Sequence, residues 1–397
     1  MPSILHPLRY ALALGLAATL SAAPLLSPPG QQLSATEQAS PELPSRAEVR
    51  ALADRGMAWM LAQQQDDGSF FDGPMFRLGI TVFATLALLE NGLDGDDERM
   101  QRAVTWIIGH QQADGGIYDP QEGLANYGTS VSLMILSRLD GVDPSIIERG
   151  RNYVLGIQNQ DAESPLYGGF AYGANDRGRE DLSNTAVSIE GLRAAGIPAD
   201  HPAMQRALEF VQRTQNLSST NDQPWAGEDG GAVYSPLPHR AGGSHGEATE
   251  AAEVDPTAPV PSVGTMTYAL ISSYLSLDIP ADDPRVRAAL DWARANYQFD
   301  ANPGMAARHA SDGLYYYYLL MATTFDRVNT TTLDTPKGEA DWRRDLMQTI
   351  RERAREADGG VFWINESRRW GEGFPHLTSA YMLRALARIH DSLPETP

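Results

Sequence analysis

The feature that most constrains this chain is that it repeats itself, with a period of roughly 45 to 50 residues, the range in which helix-pair repeats fall. Arg55, Gly56, Trp59, Met60, Gln64, Gly68 and Phe70 recur at the same spacing as Arg102, Ala103, Trp106, Ile107, Gln111, Gly115 and Ile117. Arg149, Gly150, Tyr153, Val154 and Gln158 keep the register, as do Arg206, Ala207, Phe210, Val211 and Gln215. Trp292 anchors a weaker copy from Val286, and a last degenerate copy ends at Asp358, Gly359, Gly360 and Val361. Each copy reads as an amphipathic helix whose aromatic faces inward and whose glycine terminates it.

The second half of each unit differs. Thr81 to Leu89, Thr129 to Leu136, Thr185 to Leu192, Thr265 to Leu275, Leu314 to Phe325 and Thr378 to Leu386 are apolar on most faces. A helix of that kind has to be covered all round. Amphipathic and apolar helices in alternation therefore predict an all-α protein in two concentric layers, with about six pairs. An open HEAT-like array is the competing architecture, but it calls for polar inner helices along a concave face. The apolar inner helices favour a closed ring with a central cavity.

The aromatic, Gln and Gly-x-aromatic spacing resembles the QW-type repeats of the prenyltransferase and squalene cyclase superfamily, from about Ala51 to His390. Three further strings carry the likeness: Gly230-Gly231-Ala232-Val233-Tyr234, Asp312-Gly313-Leu314 with Tyr315 to Tyr318, and Trp363-Ile364-Asn365-Glu366. The resemblance implies an (α/α)6 toroid, with ligand chemistry at the N-terminal ends of the inner helices.

Family chemistry has to be judged residue by residue. Class II terpene cyclases protonate an alkene with the middle Asp of an Asp-x-Asp-Asp-Thr-Ala string. Here the matching string is Asp181-Leu182-Ser183-Asn184-Thr185-Ala186, so Ser183 stands in the acid's place. A hydroxyl cannot do that work. The literal Asp94-Gly95-Asp96-Asp97 lies between repeats, where other copies read Asp143-Pro144 and Asp283-Pro284, and is a turn and helix-cap signal. Protein prenyltransferases hold zinc with an Asp, a Cys and a His; this chain offers Asp312 but Leu314 where the thiolate belongs, and His376 about half a turn early. No metal and no cofactor is therefore expected, and complement-type thioester chemistry is excluded because the chain has no cysteine. The residues expected near the cavity are Tyr127, Asp181, Ser183, Asn184, Asp312, Tyr315, Tyr316, Trp370, Glu372, His376 and Tyr381. Taken singly, Asp181 and Asp312 read best as helix caps.

A net charge of -20, with no Lys/Arg-rich run, opposes phosphate backbones and excludes nucleic acid as a partner. Residues 1–23 carry Arg9, the apolar run Ala11 to Leu20 and then small residues, which read as a signal peptide of a secreted or periplasmic protein. Cleavage near Ala22, Ala23 or Ala35 is equally compatible, and removal leaves no integral membrane segment. Residues 24–45 read as a flexible linker and 46–397 as the toroid, with a long loop over 218–261. In that loop His239 and His245 lie near Glu247, Glu250 and Glu253 without helical spacing, so a flap is the expectation. The leading functional expectation is an apolar, isoprenoid-like small molecule in the central cavity. The alternatives are a terpenoid-modifying enzyme, a polysaccharide lyase using Asn184, Arg308, Tyr315 and His376, and an interaction scaffold with a filled centre.

Overall fold

A computed structural model describes residues 42–237, 257, 259–357 and 359–395. The signal-peptide reading of residues 1–23, most of the linker, and His239, His245, Glu247, Glu250 and Glu253 lie outside the described residues. Among those described are twelve α-helices in two sets. The outer set is α1 (Arg46–Ala62), α3 (Glu98–Ile108), α5 (Pro144–Gly156), α7 (Pro202–Gln212), α9 (Pro284–Ala295) and α11 (Trp342–Arg353). The inner set is α2 (Arg77–Glu90), α4 (Ala125–Leu136), α6 (Leu182–Ala194), α8 (Gly264–Ser276), α10 (Leu314–Arg327) and α12 (Pro375–Ser392). Two short antiparallel hairpins, β1 (Thr332–Thr335) with β2 (Gly338–Asp341) and β3 (Arg355–Ala357) with β4 (Gly360–Phe362), flank α11.

The two sets are buried as their patterns require. In α2 every residue from Leu78 to Leu88 is buried, whereas α3 buries only Met100, Ala103, Val104 and Ile107. Inner helices pack in order, α2 on α4, α4 on α6, α6 on α8, α8 on α10 and α10 on α12, and α12 packs back on α2. Helices α5, α7 and α9 each carry an Asp or His cap followed by proline, and Asp97 caps α3, so the Asp94 to Asp97 string is the turn and cap expected of it.

What joins one unit to the next is the repeat's glutamine. Gln64 Nε2 donates to the carbonyls of Gly68 and Arg99, Gln111 to Gly115 and Ile146, Gln158 to Gly168 and Ala203, and Gln215 to Gly230 and Arg285. One amide thus satisfies a carbonyl of its own loop and one in the next outer helix. The repeat's arginine answers it: Arg102 donates to Gln64 Oε1 and Arg206 to Gln158 Oε1. Next along, the N–H of Phe70, Ile117, Phe170 and Ala232 donates to the hydroxyl of Thr81, Thr129, Thr185 and Thr267, which ties each loop to its inner helix.

The repeat glycine differs from expectation. Helices end before the glutamine, at Ala62, Ile108, Gly156 and Gln212, and the glycine lies in the loop beyond. It holds a positive φ, +82° at Gly168, with its α-carbon pressed against the backbone of the next unit's arginine. Gly68 meets Arg102, Gly115 meets Arg149 and Gly168 meets Arg206; Gly230 meets Ala288 instead, and in the last unit the equivalent Gly359 has open space among the described residues while its neighbour Gly360 approaches Arg55 of the first. The aromatics also differ: Trp59, Tyr153, Phe210 and Trp292 are buried, but Trp106 is half-exposed, stacked on His110 with its indole N–H donated to Asp67.

Candidate functional site: a cavity bounded by the inner helices

A cavity of about 400 Å³ opens where the N-terminal halves of the six inner helices meet, a size typical of small-molecule sites. Every inner helix contributes to its wall: Gly79, Ile80 and Phe83 from α2, Tyr127 from α4, Ser183 from α6, Thr265 and Met266 from α8, Tyr316 from α10, and Leu377 and Tyr381 from α12. Preceding loops add Phe76, Tyr172, Tyr234, Val263, Arg368, Trp370, Glu372 and Phe374.

These loops also cap the helices. Each inner helix needs acceptors for its first N–H groups, and in five cases the acceptor comes from the loop leading into the next inner helix. Glu122 accepts from Leu78 N, the Tyr172 carbonyl from Asn126 N, the Tyr234 carbonyl from Leu182 N, Asn302 Oδ1 from Thr265 N, and Glu372 from Tyr315 and Tyr316 N. The cavity wall is therefore built from the segments that complete the helices, so its groups are held by backbone geometry.

Of the eleven expected residues, Tyr127, Ser183, Tyr316, Trp370, Glu372 and Tyr381 line the cavity, and Asp181, Asn184, Asp312, Tyr315 and His376 stand outside it. Asp181 caps α6, as its residue type predicts: its Oδ1 accepts from Asn184 N at 2.8 Å and its Oδ2 from Asn184 Nδ2 and the Tyr234 hydroxyl. Asp312 does not cap α10. It accepts from Ser367 Oγ at 2.5 Å and meets His309 and Arg369 through Oδ2. The capping acceptor is Glu372, supplied from 57 residues away, because Gly313 in the left-handed conformation carries the N-cap with no side chain to offer. Tyr315 packs on Tyr318 and donates to the Ile364 carbonyl. His376 lies between the rings of Trp59 and Phe71, where burial lowers its pKa to about 4. Asp312 and His376 thus belong to different environments, the first polar and the second aromatic.

Ser183 does stand in the wall, with its hydroxyl 2.5 Å from that of Tyr127. A carboxyl side chain nonetheless borders the same space: Glu372, only 1% exposed, is among the lining residues. Burial pushes its pKa up to about 7, against the opposing pull of the Tyr316 N–H, Asn365 and the Tyr315 N–H. A carboxyl ¹³C titration is expected to put the Glu372 midpoint well above that of the exposed glutamates. A midpoint in the ordinary range would mean that the three donors outweigh burial.

Sequence reasoning overlooked Tyr172 and Tyr234. They are repeat equivalents, each four residues after its unit's glycine, Gly168 or Gly230, and that alignment was the available signal. Tyr172 donates to the Tyr234 hydroxyl at 2.7 Å, and Tyr234 to Asp181 at 2.6 Å, a relay ending on the α6 cap. Burial raises the pKa of both phenols, foremost over the effect of Asp181. Of the apolar lining residues, Phe83 and Met266 fall within the segments read as apolar inner helices, and Phe76, Ile80, Val263, Phe374 and Leu377 lie outside them, since nothing local separates a cavity wall from a packed interior.

No family model matches the chain, and no curated protein matches it. Solved structures do. The type II terpene cyclase MstE from Scytonema, without ligand, superposes with a TM-score of 0.54 at 14% identity, over 88% of this chain and 100% of that one. A protein from Actinoplanes gives 0.52 at 14% identity, over 87% and 99%. A glycosidase gives 0.48 at 15% identity, over 88% and 98%. At these identities the likeness to the first two is one of fold: the chain shares the α-rich architecture of a terpene cyclase.

Proposed function

We propose that the twelve helices close into an (α/α)6 toroid whose central cavity receives an apolar, isoprenoid-like small molecule. In this reading the protein is exported and lacks the proton-donor and zinc chemistry of the family it resembles. The observation that carries the proposal is the wall itself. Phe76, Ile80, Phe83, Val263, Met266, Phe374 and Leu377 present hydrocarbon to an enclosed space, and only a few polar groups converge on it. Each methylene moved from water into such a space contributes about 0.8 kcal/mol, so a prenyl chain needs no ionic contact to be held. Glu372 spends its oxygens on the N–H groups of α10 and on Asn365, a capping arrangement that leaves it poorly set to protonate an alkene.

The lyase alternative has less support. Asn184, Arg308, Tyr315 and His376 all lie off the cavity, and Arg368 is the one arginine among its lining residues. A scaffold with a filled centre is hard to reconcile with a space of about 400 Å³.

The test is to incubate the purified protein with squalene and with prenyl diphosphates, followed by mass spectrometry of both the complex and the extract. Bound, unchanged ligand is expected; a cyclised product would overturn the loss of acid chemistry. Gly79→Phe supplies the matching variant. A Cβ at Gly79 meets only ordinary contact, 3.8 Å to Leu124, so the ring is directed into the cavity. Binding should weaken at least about tenfold with the melting temperature retained. Export is tested by N-terminal sequencing of the protein recovered from the periplasm or medium.

A further inference from the structure

Four hydroxyl-bearing side chains line the cavity, each from a different inner helix: Tyr127 on α4, Ser183 on α6, Tyr316 on α10 and Tyr381 on α12. Tyr127 and Ser183 hydrogen-bond at 2.5 Å, and Ser183 is near enough to the Tyr316 hydroxyl to pull its pKa down against burial. The rings are fixed by one another and by Phe83: centroids lie 5.5 Å apart for Tyr316 and Tyr381, 5.5 Å for Phe83 and Tyr381, and 6.4 Å for Phe83 and Tyr127. Phe83, Tyr127 and Tyr316 also line a second, water-sized void of about 30 Å³ together with Glu190 and Arg384, so the rings partition the two spaces.

A proton count shows what this wall lacks. Tyr127 and Ser183 carry two O–H protons, and the link between them uses one. The Tyr381 hydroxyl has no hydrogen-bond partner among the described residues, which adds another. Burial raises the pKa of all three phenols, that of Tyr316 to about 12, so they remain protonated donors. Two protons are thus left without a hydrogen-bond partner on a largely apolar wall, where the Glu372 oxygens are already taken by the Tyr315 and Tyr316 N–H groups and by Asn365. A donor that a ligand covers without offering an acceptor is costly, and a ligand oxygen removes that cost.

We infer that the ligand carries an oxygen acceptor, a hydroxyl or carbonyl, at its inner end, held by the Tyr127, Ser183, Tyr316 and Tyr381 hydroxyls: an isoprenoid alcohol or ketone and not a bare hydrocarbon. This rests on the apolar-ligand reading above and goes beyond it by giving the ligand a polarity and a direction of entry.

The test is calorimetric titration of the full chain with farnesol and with farnesene, which share a skeleton and differ in the hydroxyl. Hydrophobic transfer alone favours the hydrocarbon, since its exit from water is the more favourable. Donors awaiting an acceptor reverse that order, and farnesol is expected to bind about tenfold or more tightly than farnesene. In the double variant Tyr127→Phe with Ser183→Ala, checked for an unchanged melting transition, the ratio of farnesol to farnesene affinity should fall to about one or below, farnesol losing acceptor contacts and farnesene gaining from the removal of unpaired donors. Farnesene binding as well as farnesol to the unaltered protein would overturn the inference and leave the apolar-ligand reading standing, with cavity water satisfying the hydroxyls. A preference that survives the double variant and also Tyr381→Phe would overturn it as well. Binding of neither compound would sink both readings.

Discussion

Replacing Gly168 by alanine is expected to destabilise the fold by roughly 3 kcal/mol or more, with loss of soluble protein at elevated temperature. Two costs add. The positive φ of +82° is unfavourable to any L side chain, and the new Cβ would collide with the carbonyl of Arg206 in α7. Relief of the collision requires the loop and helix to part, which breaks the bond Gln158 makes to the Ala203 carbonyl and the one it accepts from Arg206. Gly196→Ala separates the two costs, because Gly196 has nearly the same φ, +85°, and open space where its Cβ would stand. Its expected loss is about 1 kcal/mol, the conformational part alone. Equal losses in urea denaturation would show that close approach between units is not what demands glycine at this place in the repeat.

The second large effect is expected at the opposite ends of the inner helices. Glu90, the last residue of α2, has a side chain only 5% exposed and pairs with Arg384 at 2.8 Å, Arg388 at 2.8 Å and Arg138 at 3.2 Å. Through it, the first inner helix is bound to the last. Glu90→Ala leaves Arg384 buried with its nearest counter-charge removed, and breaking a buried pair in this way costs about 3–5 kcal/mol. The same group gives a pH signature. Burial alone would raise its pKa, but Arg384 and Arg388 outweigh burial and bring it down to about 2. A depressed carboxyl contributes stability that is fully present above its unfolded value near 4.5 and is lost as pH falls through 2. About 3 kcal/mol should therefore disappear across that window in the unaltered protein and be missing from the variant throughout. A variant whose stability keeps the same slope between pH 4.5 and 2 would show that the acid sensitivity comes from other carboxylates.

Much of the architecture was legible because its signals are local. The alternation of amphipathic and apolar segments is set by side chains within one or two turns of each other, and so are the Asp caps at Asp97, Asp143 and Asp283. The glutamine and glycine of each unit were visible as a spacing, but their purpose was not. Termination of a helix is a local role, and it was the role assigned to the glycine. Docking on the arginine of the next unit is a contact across 34 residues for Gly68 with Arg102 and 38 for Gly168 with Arg206.

The same limit explains the site. Asp312 beside the start of α10 looked like its cap, and the cap proved to be Glu372. Ser183 was legible as the place of a missing acid, yet no spacing indicated that Tyr127 would bond to its hydroxyl. His376 was legible as an imidazole near a helix start, but its seat between Trp59 and Phe71 depends on α12 packing against α1.

By itself the sequence determined a protein of paired helices with an apolar inner layer, because period and amphipathicity are written residue by residue along the chain. The tertiary structure alone decided that α12 returns to α2, that helix N-termini borrow their acceptors from neighbouring loops, and which hydroxyls share one cavity. Those outcomes follow from packing between elements far apart in the chain, where the energy of a contact depends on where its partner has been carried by everything folded in between.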